Sequence, residues 1–328
     1  MEPILQVKNL SVEIKYDDKN LKILKNISYE LFPSKTLAIV GESGCGKTIS
    51  ALSVLRLLPD SAKIASGKII YKGIDLLKLS HEEIRKIRGG KISMVFQEPM
   101  TSLNPVMTIG RQISEAITEH TDADNREALE KSAVLLEKAA VGRAKNRLND
   151  YPHNFSGGMR QRVMIAMAIS CNPDIIIADE PTTALDVTIQ AQILALMSKL
   201  QKENRMSLIL ITHNLGIVAQ TADDVAVFYA GMIMEKSTAR ELFREPKHPY
   251  TRALLESLPE IGSRKKTLPA IKGLPPGFDQ DLPGCPFAPR CPSAFDKCFK
   301  QEPPEFETGN GRISKCWLYE KAIRQQGN

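Results

Sequence analysis

Eight consecutive residues constrain this chain more than any others: Gly41-Glu42-Ser43-Gly44-Cys45-Gly46-Lys47-Thr48. They fit the phosphate-binding pattern G-x-x-x-x-G-K-[ST] at every fixed position. Thr36 to Val40 reads as a buried strand entering the loop, and Ile49 to Leu58 as a helix leaving it. The glycines let backbone N–H groups curl around a polyphosphate, and the helix N-terminus adds positive potential. Lys47 is expected to reach the terminal phosphates, and Thr48 to hold Mg²⁺ through its hydroxyl. The loop predicts ATP or GTP binding; the plain alternative is a chance match.

The 328 residues leave room for one large domain with a small one, or for two of medium size. A net charge of +6 could suit nucleic acid or an anionic membrane. No dense Lys/Arg run accompanies it, so a solvated surface with a small lysine excess is the simpler reading. No apolar stretch approaches the roughly eighteen residues of a membrane span. Met1-Glu2-Pro3-Ile4 lacks the basic and apolar regions of a signal peptide. The expectation is a cytoplasmic protein that reaches a membrane only through partners.

Apolar runs recur as short strands at Lys68–Tyr71, Lys91–Phe96, Asp174–Asp179, Ser207–Thr212 and Val225–Tyr229. Asp174–Asp179 is apolar on both faces, as a central parallel strand is. Strands alternating with helices predict an α/β domain with a mainly parallel sheet. A helical block from about 98 to 172 interrupts the alternation and reads as an insertion. Past Tyr250, prolines including Pro259, Pro275, Pro276 and Pro283 break regular structure. Cys285, Cys291, Cys298 and Cys316 crowd the same stretch, which in a reducing compartment points to metal more than to disulfides.

Asp179 ends a strand and Glu180 follows it. A carboxylate there suits Mg²⁺ opposite a phosphate loop, and the next one could act as general base on water. Both could instead cap the following helix. Ser156-Gly157-Gly158 opens a helix and offers a second anion contact, or a plain N-cap. His213, after the strand ending at Thr212, could bond a terminal phosphate. Gln97 could ligate Mg²⁺ or position water. Singly, these last residues say little.

In order and spacing, the loop from Gly41 to Thr48, Gln97, Phe155 to Met159, Asp179-Glu180, Asp186 and His213 resemble an ABC-transporter ATP-binding subunit. Phe155-Ser156-Gly157-Gly158-Met159 resembles that family's signature, with Phe and Met where Leu and Gln are usual. Phe96 to Pro105, Tyr151 to Met159, Ala178 to Thr188 and His248 to Leu255 resemble the dipeptide/oligopeptide/nickel importer branch, and its D-type subunit overall.

The resemblance implies a phosphate-loop NTPase core (RecA-like) with an antiparallel β subdomain, an inserted helical subdomain and a small metal-stapled C-terminal extension. It sets the ATP-binding domain at 1–250 and the extension at 251–328. Nucleotide contacts would come from Gly41, Glu42, Ser43, Gly44, Cys45, Gly46, Lys47, Thr48 and Ile49. Ser156, Gly158 and Asp186 would act across a paired subunit, and Tyr16 would stack on adenine where Ile14 replaces the usual aromatic. Glu180, His213 and Gln97 would be catalytic; Thr48, Gln97 and Asp179 would hold Mg²⁺.

Cys285, Cys291, Cys298 and Cys316 would hold a [4Fe-4S] cluster, with zinc as the rival. Implied partners are a second ATP-binding subunit in a heterodimer or homodimer, two transmembrane permease subunits and an extracytoplasmic substrate-binding protein. No nucleic acid partner is implied. The site of action would be the cytoplasmic face of the membrane, peripherally. Peptides are the expected cargo. A nickel or metal-chelate importer, and a soluble ABC ATPase acting on nucleic acid or ribosomes, stand as alternatives.

Overall fold

The computed structural model describes residues 2–17, 19–183, 185–257, 271–280 and 282–320. Its strands begin with β1 (Leu5–Tyr16), β2 (Lys19–Leu31), β3 (Thr36–Val40), β4 (Ala62–Tyr71), β5 (Ile74–Asp75) and β6 (Ile92–Val95). They continue with β7 (Ile175–Asp179), β8 (Ser207–Ile211), β9 (Asp224–Tyr229), β10 (Met232–Thr238), β11 (Phe306–Glu307) and β12 (Ile313–Ser314). The chain divides into two compact units, one centred on Lys78–Ile211 and one built from Pro3–Glu30, Thr36–Leu77 and the described residues from Thr212 onward.

In the first unit β6, β7 and β8 pair in parallel, Ile92 opposite Ile175 and Ile175 opposite Ser207. Every residue of β7 and β8 is buried. A strand covered on both faces needs apolar side chains on both, which is why Ile175-Ile176-Ile177-Ala178 carries no alternation. Helices Pro99–Ser102, Ile109–His120, Asn125–Lys138, Ala144–Arg147 and Gly157–Ala168 lie between β6 and β7 in the chain. Ile109, Ile113 and Ile117 recur every four residues and bury one helix face. That helix packs on Asn125–Lys138, which Asp124 caps through bonds from the Arg126 and Glu127 amides.

In the second unit one sheet runs β2-β1-β4-β5, with β1/β4 and β4/β5 antiparallel. β4 begins well before Lys68; Ala62–Ser66 is exposed or partly exposed and so leaves no apolar run to read from sequence. Elsewhere in this unit β3 pairs in parallel with β9, and β9 turns back antiparallel into β10. Ala230 and Gly231 make that turn, both with positive φ (48° and 79°), as a tight hairpin requires.

The extension differs from expectation. A metal was expected to hold together a stretch with little core of its own. Instead β12 adds antiparallel to β10, Glu235 opposite Ser314, and β11 adds to β12. Phe287 is fully buried in one cluster with Tyr229, Tyr250, Met232 and Met234. Strand addition and aromatic packing are therefore its visible fastenings. Pro259, read as a breaker of regular structure, lies outside the described residues.

Candidate functional site

β3 delivers the chain into the phosphate loop at Gly41, whose φ is 151°. A Cβ at Gly41 would stand 2.2 Å from the Phe228 carbonyl oxygen, so the approach of β9 demands glycine there. Gly44 and Gly46 also have positive φ, 75° and 102°, and Gly46 is the N-cap of the helix Lys47–Val54. Lys47 is buried, and its Nζ donates to the Gly41 and Glu42 carbonyl oxygens at 2.9 Å each. The ammonium thus folds back over its own loop. Burial pushes the Cys45 thiol up, against the pull of the Lys47 charge. Thr48 is exposed on the first turn, with Ile49 half-buried beside it. Tyr16, 66% exposed, ends β1, and His213 is exposed two residues past β8.

The first unit carries Gln97, Ser156, Gly158, Asp179, Glu180 and Asp186. Asp179 is buried as the last residue of β7. Glu180 follows with φ 44°, a left-handed conformation that side-chain-bearing residues rarely adopt. Its N–H donates to the Ile211 carbonyl at 2.9 Å, which holds that conformation against β8. Its Oε2 accepts from Thr183 Oγ1 at 2.8 Å and from Gln97 Nε2 at 3.3 Å. The structure thus brings Gln97 and Glu180 together and adds Thr183, which the sequence reading passed over. A hydroxyl three residues beyond an acid in a turn was the available signal.

Ser156 is the N-cap of Gly157–Ala168, its Oγ accepting from the Met159 amide at 3.4 Å. A Cβ on Gly158 would stand 2.8 Å from Ile189 Cγ2, so glycine permits the contact between this helix and Val187–Asn204. Asp186 caps that second helix, its carboxylate accepting from the Ile189 amide at 2.9 Å.

Cys285, Cys291, Cys298 and Cys316 line a single pocket together with His248, Phe287 and Trp317. Burial pushes the Cys285 thiol up to about 12 and Cys316 up to about 11, with neighbouring thiols adding to both. Among the described residues, however, no group of three or more His, Cys, Asp or Glu is arranged to hold a metal ion. The expected metal staple is thus not supported as a structural feature. The sequence correctly gathered the four thiols but overstated what holds the extension.

Residues 24–183 match the ABC transporter family, and residues 234–298 match the oligopeptide/dipeptide transporter C-terminal region. The dipeptide transport ATP-binding protein DppD of Bacillus subtilis is 46% identical over 98% of this chain and 96% of its own length. The chain belongs to the ABC transporter ATP-binding family. The oligopeptide transport ATP-binding protein AppD of Bacillus subtilis is also 46% identical, over 99% of this chain and 100% of its own. Among solved structures, the ATP-binding cassette MJ0796, a dimer in a post-hydrolysis state with ADP and Pi, aligns with TM-score 0.65 and 26% identity. That alignment covers 72% of this chain and 99% of the other.

Within this ABC cassette, two residues at the phosphate loop had no role assigned from sequence. Tyr250 accepts from the Glu42 amide at 3.0 Å, and Arg290 pairs with the Glu42 carboxylate. Both lie within residues 234–298, which match the oligopeptide/dipeptide transporter C-terminal region, yet nothing local to either points to residue 42. Burial raises the Tyr250 phenol and keeps it neutral as an acceptor.

Proposed function

We propose that this chain is the ATP-binding and ATP-hydrolysing subunit that powers an ABC importer of di- or oligopeptides. The observation that carries the reading is the Glu180 carboxylate, held at a strained strand end by Gln97 and Thr183 in a chain that also has a complete phosphate loop. The names of the relatives DppD and AppD supply the peptide cargo.

On this reading Gly41 to Ile49 cradle the triphosphate through backbone N–H groups, and Lys47 turns from its two carbonyls to the β- and γ-phosphates. Tyr16 stacks on adenine. Thr48, Gln97 and Asp179 would hold Mg²⁺, which neutralises charge on the phosphate oxygens. Glu180 takes a proton from the attacking water, and His213 bonds the γ-phosphate. Ser156 and Gly158 of a paired subunit grip the same nucleotide from the other side, and Asp186 works across that interface. The pair is a heterodimer with a related subunit or a homodimer. ATP-driven closure turns two permease subunits outward, and hydrolysis resets them.

The same reading assigns residues 1–250 to the ATP-binding domain, with 98–172 as its helical subdomain, and 251–328 to the extension. It puts the chain on the cytoplasmic face of the membrane, held by the permeases; among the described residues no helix is long and apolar enough to cross a bilayer. Four thiols line one pocket without being gathered as a ligand set among the described residues; on the iron–sulfur reading Cys285, Cys291, Cys298 and Cys316 would hold a [4Fe-4S] cluster.

The test is ATPase activity in membranes carrying the permease pair. Stimulation by a peptide-loaded extracytoplasmic binding protein is expected. Stimulation by nickel or a metal chelate alone would reassign the cargo, and stimulation by nucleic acid without the permeases would overturn the transport reading.

A further inference from the structure

Glu42 is an unwelcome residue for a phosphate loop on electrostatic grounds. It follows Gly41 directly, inside the loop expected to receive a triphosphate, and a carboxylate and a phosphate brought close repel. The structure offsets that charge with a residue 248 positions away. Arg290 Nη1 donates to Glu42 Oε2 at 2.8 Å and Nη2 donates to Oε1 at 3.0 Å. This is a two-pronged pair, the strong form of an arginine–carboxylate contact. The Arg290 side chain is 7% exposed and that of Glu42 22%, so water screens the pair weakly.

The guanidinium is itself fixed from several sides. Nε donates to the Lys272 carbonyl at 3.0 Å, and Nη1 also donates to the Tyr229 hydroxyl at 3.1 Å. Its carbon lies 5.7 Å from the centre of the Tyr229 ring. Tyr229 packs in turn against Tyr250 and Phe287, with ring centres 4.6 and 5.4 Å away. Phe287 leads into the short 3₁₀ turn Ala288–Arg290, and Tyr250 accepts the Glu42 amide. Glu42 is therefore held at three points: its amide by Tyr250, its carbonyl by Lys47, and its carboxylate by Arg290.

We propose that Arg290 is a positioning residue for nucleotide binding: from the cysteine-bearing extension it neutralises and anchors Glu42, and so sets the affinity of the phosphate loop for ATP. This rests on the reading of that loop as the ATP site. Two effects act together. Anchoring Glu42 lowers the ordering cost of closing the loop on phosphate. Neutralising Glu42 removes a repulsion that an unpaired carboxylate would exert on the triphosphate. The second effect gives the proposal a signature that general loosening of the fold lacks, because deleting the carboxylate must compensate for deleting the guanidinium.

The experiment measures binding of a fluescent non-hydrolysable ATP analogue with Mg²⁺ to the purified full chain. The variants are Arg290→Ala, Arg290→Lys, Glu42→Gln and the double variant Arg290→Ala/Glu42→Gln. Arg290→Ala is expected to raise Kd about tenfold or more, and in the assembled transporter to raise KM for ATP while leaving kcat near its original value. The double variant is expected to bind within about threefold of Glu42→Gln alone, since little repulsion remains to be relieved. Should Arg290→Ala fail to fold, Arg290→Lys, which keeps the charge but loses the fork, is expected to weaken binding by a smaller factor.

Unchanged affinity in the folded arginine variants overturns the inference. So does a double variant as weak as Arg290→Ala. Lys47→Ala in the same assay separates the two levels: if it too binds normally, the phosphate-loop reading itself falls; if it alone loses binding, only the role of Arg290 does.

Discussion

Gln97 and Glu180 meet through a hydrogen bond from Nε2 to Oε2 at 3.3 Å, although 83 positions of sequence separate them. Thr183 donates to the same oxygen at 2.8 Å. The carboxylate is thus aimed by two donors, and its backbone is held in a left-handed conformation by the bond to Ile211. On the proposed reading of Glu180 as the base, a carboxylate aimed in this way needs little reorganisation when water arrives. The bond also joins the proposed base to a residue proposed to hold Mg²⁺, so a displacement of Gln97 would be felt directly at Glu180.

Replacing that base should separate binding from turnover. Glu180→Gln keeps the shape and one acceptor oxygen but cannot take a proton. Turnover is expected to fall about 10²- to 10⁴-fold, while ATP affinity stays within a few-fold. ATP should then drive a lasting dimer, visible by light scattering with the paired subunit present. A variant that keeps more than a tenth of the original turnover would remove Glu180 from the base role.

Lys47→Ala tests the loop from the opposite side. The ammonium bridges two loop carbonyls at 2.9 Å, so its loss removes both the charge for phosphate and a brace of the loop. ATP affinity is expected to drop by about a hundredfold, read by equilibrium titration with a fluorescent analogue. Affinity unaltered within error would mean that nucleotide binds elsewhere.

Much of this was legible from residue order. The buried strands β3, β7 and β8 announce themselves because burial on both faces forbids polar interruption. The phosphate loop is legible because its backbone geometry dictates glycine at fixed spacing. What stayed hidden depends on distant partners. Gln97 looks ordinary until β6 and β7 pair and bring it to Glu180. Arg290 reads as one more basic residue in a proline-rich stretch, and only the tertiary fold takes it to Glu42. β11 and β12 have two residues each, too few for any pattern, and exist because β10 offers an edge.

The loop glycines should differ in how far they tolerate a methyl group. At Gly41 an added Cβ meets backbone, the Phe228 carbonyl at 2.2 Å, and backbone cannot swing aside. At Gly44 nothing lies within 4 Å, and only the positive φ of 75° opposes the change. Gly44→Ala is thus expected to cost about 1–2 kcal/mol and Gly41→Ala more, through movement of β9. Thermal melts of the two variants check the order. A Gly41→Ala protein as stable as Gly44→Ala would contradict the close approach of loop and strand.

The cysteine pocket yields a compositional test. Burial pushes the Cys285, Cys291 and Cys316 thiols up, and a protonated thiol is a poor ligand, so loading a metal there must expel protons and depends on pH. A chain purified without oxygen is expected to contain about four iron and four sulfide per molecule, the makeup of a [4Fe-4S] cluster. Cys291→Ser keeps nearly the shape of the side chain that packs against the edge of the Phe287 cluster, and the pairing of β12 with β10 is backbone and does not involve it. That variant is expected to lose iron and yet stay folded by circular dichroism, because strand addition and aromatic packing fasten the extension independently. Equal iron in both proteins would dismiss the cluster, one equivalent of zinc would replace it with the rival metal, and unfolding on loss of iron would return the fastening role to the metal.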